Sequence, residues 1–410
     1  MENKNKFEFP KDFLWGAAAA SYQIEGDNKN SDWWRWEEMG KTTDKSGRAC
    51  DYWNQYKKEH DLLEELGVNA FRISLEWSRI EPEEGKFSDE NIKHYREILE
   101  DLKRRNIKRV VTLWHWTSPI WFADKYGFHK KKSVEIFVRY CEKVIDELGD
   151  LIDIYVVFNE PMVPLGLGYM GGTFPPGYKN PFKFYRALKN IVDSYIESYK
   201  IIHKKYKDAQ VGISYLYNWY EKSDSGLVNF INKISNWWRI DLLGDKIRNY
   251  QDYIGIDYYR VGRIRFDFRN IKLDVKNQNY FGFTIDEDDN NIMKWIAYPE
   301  GLQKVIKEVC PKYKLPIYIL ENGLPTHMGL NDEERVRFIS NHIFYMKKAM
   351  QGGSNVKGYF HWSLLDNYEW LYGFGPRFGL VEVDYETFGR KPKKSFYAYQ
   401  KIIKNSLEQN

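Results

Sequence analysis

Eight short apolar runs, each followed by a longer amphipathic stretch, constrain this chain more than any other feature of it. The runs fall at Leu14–Ala19, Ala70–Ser74, Arg109–Leu113, Ile154–Phe158, Gln210–Ser214, Tyr253–Ile256, Pro316–Leu320 and Val356–Phe360. They are rich in β-branched and aromatic residues, as buried strands are. Between them the apolar spacing is helical, at Tyr52–Leu66, Asp89–Asn106, Ser133–Leu148, Pro181–Lys205, Pro299–Val309 and Asp332–Gly352, and Lys394–Lys404 follows the eighth run. Punctuation agrees: Ser88-Asp89-Glu90 and Asn331-Asp332-Glu333-Glu334 place acids at helix starts, Gly67 follows Leu66 as a C-cap, and Gly352-Gly353 precede the eighth run. A fifth helix around Gly226–Leu243 is less regular, and Val261–Asp289 reads as a hairpin inserted after the sixth strand. Strand and helix repeated eight times give an α/β fold, a single (β/α)8 TIM barrel with elaborated βα loops and right-handed connections. No linker or low-complexity segment breaks the 410 residues. They are therefore expected to form one catalytic domain, since such barrels routinely exceed the usual domain length.

Several function classes drop out. Lys+Arg of 62 against Asp+Glu of 58 leaves +4, too small and dispersed a charge for nucleic-acid binding. The one dense basic run, Lys130-Lys131-Lys132, reads as a solvated face at a helix start. Cys50, Cys141 and Cys310 are far apart and odd in number, without a CxxC pair, which supports neither a zinc site nor a disulfide framework. The stretch Met1–Pro10 is polar, unlike a signal peptide, and no apolar run approaches the ~18 residues of a membrane span. A cytoplasmic protein with no membrane partner is expected. Aromatic residues make up 17% of the chain, and flat rings with polar edges suit sugars as well as cores.

In a barrel, chemistry collects at the C-terminal ends of the strands. Gln23, Arg72, His115, Asn159-Glu160, Tyr259, Glu321-Asn322 and Trp362 stand there. Glu160 follows Ile-Tyr-Val-Val-Phe-Asn and Glu321 follows Ile-Tyr-Ile-Leu, so each acid ends an apolar run. One such acid alone reads as a rim ion pair, for example Glu321 with Arg72. Two converging on one barrel mouth, each beside an Asn, suit glycoside hydrolysis, where one carboxyl is a general acid and the other attacks or stabilises the anomeric carbon. The acid needs an apolar or like-charged surrounding and the nucleophile a cation or donors. Arg72 and Tyr259 are candidate donors for Glu321, which makes Glu160 the acid/base and Glu321 the nucleophile.

Phe158-Asn159-Glu160-Pro161 and Ile319-Leu320-Glu321-Asn322-Gly323 resemble the two catalytic motifs of glycoside hydrolase family 1, the β-glucosidase/β-galactosidase family. Phe13-Leu14-Trp15-Gly16-Ala17-Ala18 with Tyr22-Gln23-Ile24-Glu25-Gly26 is similar to its N-terminal signature. Phe71-Arg72-Ile73-Ser74, Glu76-Trp77-Ser78-Arg79-Ile80, His115-Trp116, Gly255-Ile256-Asp257-Tyr258-Tyr259 and the run Trp362–Trp370 continue the resemblance in order, from about residue 9 to 400. It implies a retaining β-glycosidase that hydrolyses β-D-glycosides of the glucoside, galactoside or fucoside type by double displacement through a covalent glycosyl-enzyme. It also implies no metal and no cofactor, and a small-molecule β-glycoside or oligosaccharide as the partner. By position, Glu160 and Glu321 would be catalytic, and Asn159 would meet the 2-hydroxyl. Gln23, His115, Glu369 and Trp370 would hold the other hydroxyls with Trp116 nearby, Trp362 would form the floor, and Arg72 and Tyr259 would support Glu321.

The chain departs from the family at Leu320, usually Thr, at Asp257, usually Asn, at Leu324-Pro325 and at Trp116-Thr117. It is also short, with compressed sequence between about 220 and 250. None of these removes a catalytic group, though Asp257 adds a third carboxylate near the site. Glu369 would repel a phosphate and Gly375 offers it no hydroxyl, so an unphosphorylated glycoside is expected. A binding protein on a dead barrel would have lost a glutamate, and a metal-dependent hydrolase would show HxH or HExxH spacing. A transglycosidase would use the same two glutamates.

Overall fold

The computed structural model describes residues 8–408, apart from 225, 263, 267–272, 275–278, 281–282, 286–292 and 328. Its barrel strands are β1 (Leu14–Ala18), β2 (Ala70–Ser74), β3 (Lys108–Trp114), β4 (Ile154–Phe158), β5, β6 (Ile254–Gly262), β7 (Ile317–Asn322) and β8 (Val356–Trp362). β5 comes in two pieces, Gln210–Gly212 and Ser214–Tyr220, separated at Ile213. All pairings between these strands are parallel, and β8 returns to β1 in the register Leu14↔Gly358 to Ala18↔Trp362. The lower piece of β5 pairs with β4 and the upper piece with β6, so the break lets one strand bend between its neighbours and close the sheet.

Parallel strands in a barrel are covered on both sides, which is why they read as continuous apolar runs. The inside is filled by Ala18, Ala70, Val110, Ile154, Val156, Tyr253, Tyr318, Leu320 and Phe360, and a larger cluster lies between strands and helices. Large and small side chains alternate there: a Cβ on Gly16 would come within 2.3 Å of the Phe360 ring. The outer layer is α1 (Tyr52–Leu66), α2 (Asp89–Arg104), α3 (Ser133–Leu148), α4 (Pro181–Lys205), α5 (Gly226–Asn236), α6 (Pro299–Tyr313), α7 (Glu333–Gln351) and α8 (Lys394–Leu407). Ser88 caps α2 by accepting from the Asn91 N–H, and Gly67 ends α1 at φ 79°, donating to the Leu63 and Glu64 carbonyls. Lys130, Lys131 and Lys132 are exposed.

Three expectations are corrected. The insertion after β6 is a four-stranded antiparallel sheet rather than one hairpin, with strands at Ile264–Phe266, Phe283–Ile285, Asn279–Tyr280 and Leu273–Asp274 in spatial order; of the expected Val261–Asp289 segment, Val261 and Gly262 end β6 and the remainder lies outside the described residues. The fifth helix stops at Asn236, widens into a π-helical turn over Trp237–Asp241 where Trp238 stacks on Phe184, and resumes at Leu242–Ile247. α6 continues past Val309 to Tyr313, with Pro311 in its final turn. The expected acids do stand at the start of α7, with Glu333 and Glu334 in its first turn, while the Asp332 carboxylate accepts from the Ser395 N–H and hydroxyl at the start of α8 and pairs with Arg335. No helix among the described residues is long and apolar enough to cross a membrane.

Candidate active site

β6 and β7 run further than their apolar runs, so Tyr259, Glu321 and Asn322 lie within strands rather than in the loops after them. A register shift against β6 between Ile319 and Glu321 bulges β7 at this point. Leu320 packs into the barrel interior and Glu321 still reaches the mouth, a use to which bulges are commonly put. Gly255 leaves the room Leu320 needs, because a Cβ there would lie 2.5 Å from its Cδ1. Asn159 and Glu160 follow β4 directly, and the Glu160 N–H donates to the Ser214 carbonyl at 3.1 Å. Glu160, Trp116 and Trp370 have φ of 38°, 73° and 52°, so left-handed backbone gathers at the mouth, where strain is commonly held.

The mouth encloses a cavity of about 160 Å³. Gln23, His115, Trp116, Asn159, Glu160, Tyr259, Glu321, Trp362, Glu369 and Trp370 all line it, and Arg72 lies beneath, 1% exposed. The sequence reading did not pick out the apolar part of the wall, to which Val163, Leu167, Phe174, Leu216, Met293, Trp295, Leu371, Tyr372 and Phe378 contribute. Residues of that kind carry no sequence signal that separates them from core.

Two glutamates face each other in unlike surroundings. Oxygens of Glu160, Asp257 and Glu321 all lie within 4.8 Å of one another. Arg72 Nη1 donates to Glu321 Oε1, and the Tyr259 hydroxyl donates to Oε2. Arg72 Nη2 goes to Asn159 Oδ1 and its Nε to Thr112 Oγ1, so all three nitrogens hold the guanidinium in place. Glu160 Oε1 is buried with no hydrogen-bond donor among the described residues. Burial first, then the charges of Asp257 and Glu321, push the Glu160 carboxyl well above the ordinary range, against the opposing pull of Arg72. Three carboxylates could ligate a cation, but Arg72 already neutralises Glu321, and hard divalent ions seek six or more oxygens.

The rest of the wall is set for hydroxyl groups. Asn159 Oδ1 accepts from Arg72 and Ser214, which fixes its amide so that Nδ2 donates to His115 Nε2 at 3.1 Å. Burial and the Arg72 charge hold His115 well below its usual range, hence neutral. Gln23 Nε2 donates to Asn367 Oδ1, the Tyr368 carbonyl and Glu369 Oε2, while its own Oε1 is a buried acceptor without a partner among the described residues. Glu369 is pushed up to about 8, by burial and then by the Glu321 charge. Trp370 stacks on Tyr22 at 5.7 Å and 6°, and Trp362 lies 6.0 Å from the His115 ring. Trp116 Nε1 holds the Asn159 carbonyl at 3.0 Å. Flat apolar faces next to fixed donors and acceptors are what a sugar ring requires.

The chain is similar to known proteins along its whole length. The model of Glycosyl hydrolase family 1 matches residues 5–242 and 242–407. Beta-glucosidase A of Thermotoga maritima is 30% identical over 449 aligned residues, spanning 98% of this chain and 99% of that protein. The beta-galactosidase of Saccharolobus solfataricus is 28% identical over 97% of this chain and 96% of its own. Among solved structures, a beta-glycosidase from Pyrococcus horikoshii superposes with a TM-score of 0.88 at 37% identity, over 97% of this chain and 95% of that one. The Thermotoga maritima beta-glucosidase in complex with glucoimidazole gives 0.89 at 29% identity, over 97% and 99%.

Proposed function

The chain belongs to glycosyl hydrolase family 1 and is a β-glycosidase, and from that premise we propose that it hydrolyses unphosphorylated β-D-glycosides of the gluco and galacto type with retention. The observation that carries the proposal is the pair Glu160 and Glu321, with oxygens within 4.8 Å and opposite electrostatic surroundings. A gap of about 5–5.5 Å between carboxyl groups suits direct attack, whereas an inverting enzyme leaves about 6.5–9.5 Å for a water. Glu321, charged beside Arg72 and aimed by Tyr259, attacks the anomeric carbon. Glu160 gives its proton to the departing oxygen as the glycosidic bond breaks. In the second half Glu160 takes a proton from water, the hydroxide oxygen bonds to the anomeric carbon, and the ester to Glu321 opens.

Asn159, His115, Gln23 and Glu369 present hydroxyl partners, and Trp362 and Trp370 present the apolar faces. A phosphorylated sugar would bring its charge against Glu369. The solved relatives that hold glucoimidazole and deoxynojirimycin support a small-molecule glycoside as the ligand. The barrel and its loops act as one catalytic unit. The free cysteines Cys50, Cys141 and Cys310 support a cytoplasmic, thiol-reducing setting. A panel of aryl β-glycosides, with Glu321→Ala as the blank, tests the reading. Turnover of gluco- or galactosides that disappears in the variant is expected; no turnover by the folded wild type would overturn it.

A further inference from the structure

Asp257 is the buried acid for which the two-glutamate scheme has no use. It sits within β6 opposite Glu321 on β7 and Leu216 on β5, fully buried, and the side chains within hydrogen-bond reach of its carboxylate are the Ser214 hydroxyl and the Glu160 carboxyl. Facing it are Glu321 from β7, Glu160 from the end of β4, Arg72 from β2, Ser214 from β5, Tyr259 from its own strand and Tyr253 just ahead of that strand. Ser214 has one proton and gives it to Asn159 Oδ1. Arg72 directs four of its five N–H donors to Glu321, Asn159, Thr112 and the Leu320 carbonyl. Glu160, Asp257 and Glu321 therefore crowd one hydrogen-bonded cation, Arg72, while the other guanidinium on the cavity wall, Arg260, lies over the Trp295 ring at 5.2 Å, and an uncompensated buried charge is costly. Glu321 is the one matched by Arg72 and Tyr259. Glu160 and Asp257 are left to each other, close enough for a proton on one to be accepted by the other.

We propose that Asp257 is a positioning residue for the catalytic proton: Glu160 and Asp257 share a single proton, and this pair, rather than Glu160 alone, is the acid of the reaction. The inference rests on the acid/base role proposed for Glu160. In the free enzyme Glu321 and Asp257 are the two anions, and a third would have no cation, so Glu160 keeps the proton and offers it to Asp257. As Glu321 bonds to the anomeric carbon it loses its charge, while the glycosidic oxygen leaves with the Glu160 proton. The number of buried anions is two before and two after, so Glu160 ionises at the step that removes the charge on Glu321. Burial and the neighbouring carboxylates push both members of the pair upward, the direction this arrangement requires. Such a pair titrates in two macroscopic steps, and the alkaline limb of activity is the second.

The test is kcat/KM against pH for wild type, Asp257→Asn and Glu160→Gln, on a phenyl β-glycoside whose departure needs protonation. Asn keeps the shape of Asp257 but removes its charge and donates to the Glu160 carboxylate, so the limb should move to lower pH by at least about one unit, a tenfold loss above the new limb. Rates should converge with wild type at acid pH. Asp257→Ser, without a side chain long enough to donate, should move the limb in the same direction by less. A limb left in place by Asp257→Asn, or a loss uniform across pH, overturns the shared proton and leaves the role of Glu160 intact. A wild-type limb that survives in Glu160→Gln overturns the acid role itself and the pair with it.

Discussion

Glu321 and Glu160 are the same residue type at the ends of strands in one barrel, yet the two sides of the mouth treat them in opposite ways. On the β7 side the carboxylate receives a guanidinium and a phenol, both buried, the guanidinium held by further bonds to Thr112 and Asn159. On the β4 side the carboxyl meets a second carboxyl, an apolar wall and no donor for Oε1 among the described residues. A carboxylate that stays charged and one that stays protonated are thus made from identical chemistry by what lies within hydrogen-bond reach. The fork of Arg72, already a candidate donor to Glu321 in the sequence, is what separates them.

The sharpest way to break the comparison is to remove one acid at a time. Glu321→Ala should lower kcat by about 10⁴-fold or more on every substrate, since no other group reaches the anomeric carbon. Burst kinetics with a dinitrophenyl glycoside should show no trapped intermediate. Glu160→Ala should cost about 10²–10⁴-fold with poor leaving groups and little in the first step with good ones, and azide should restore its deglycosylation. Equal losses across leaving groups would mean that the two sides are not differentiated as described. A subtler cut is Tyr259→Phe, which strips one donor from Glu321 while leaving Arg72. A hydrogen bond to a charged group is worth about 1.5–3 kcal/mol, so a loss of about 10- to 150-fold in kcat/KM is expected, with the leaving-group dependence unchanged.

The first four strands were legible almost to the residue because both of their faces are apolar: Ala70–Ser74 and Ile154–Phe158 match their runs. β6 and β7 were cut short in the sequence reading for the reason that makes them functional. Asp257, Tyr259 and Arg260 interrupt one apolar run, and Glu321 and Asn322 end the other, so functional polarity hides the strand that carries it. The polar half of the site was readable from acids, amides and a His placed after strands. Its apolar half was not, since Leu216 or Phe378 looks like core until the loops are folded over the mouth. Contact between Glu160 and Asp257 was equally hidden, because it depends on how the broken β5 brings β4 to β6.

Glu369 gives the smallest test and asks whether the donor-poor character extends beyond Glu160. It is half-buried in the cavity wall with one amide donor, Gln23, and sits at about 8 because of desolvation and then the Glu321 charge, against an ordinary 4.5. The folded protein therefore holds this proton more tightly than the unfolded chain does. Its contribution to stability is complete below about 4.5 and is lost as the pH rises toward about 8, where the unfolded carboxyl is ionised and the folded one resists. Glu369→Gln fixes the uncharged form, so its melting temperature should fall less than that of wild type across that window, with the two curves meeting at the acid end. Glu160 and Asp257 are shifted in the same direction and remain in the variant, so the slope should be reduced rather than abolished. An unchanged slope would show that Gln23 suffices to keep Glu369 ionised, placing it with Glu321 and not with Glu160.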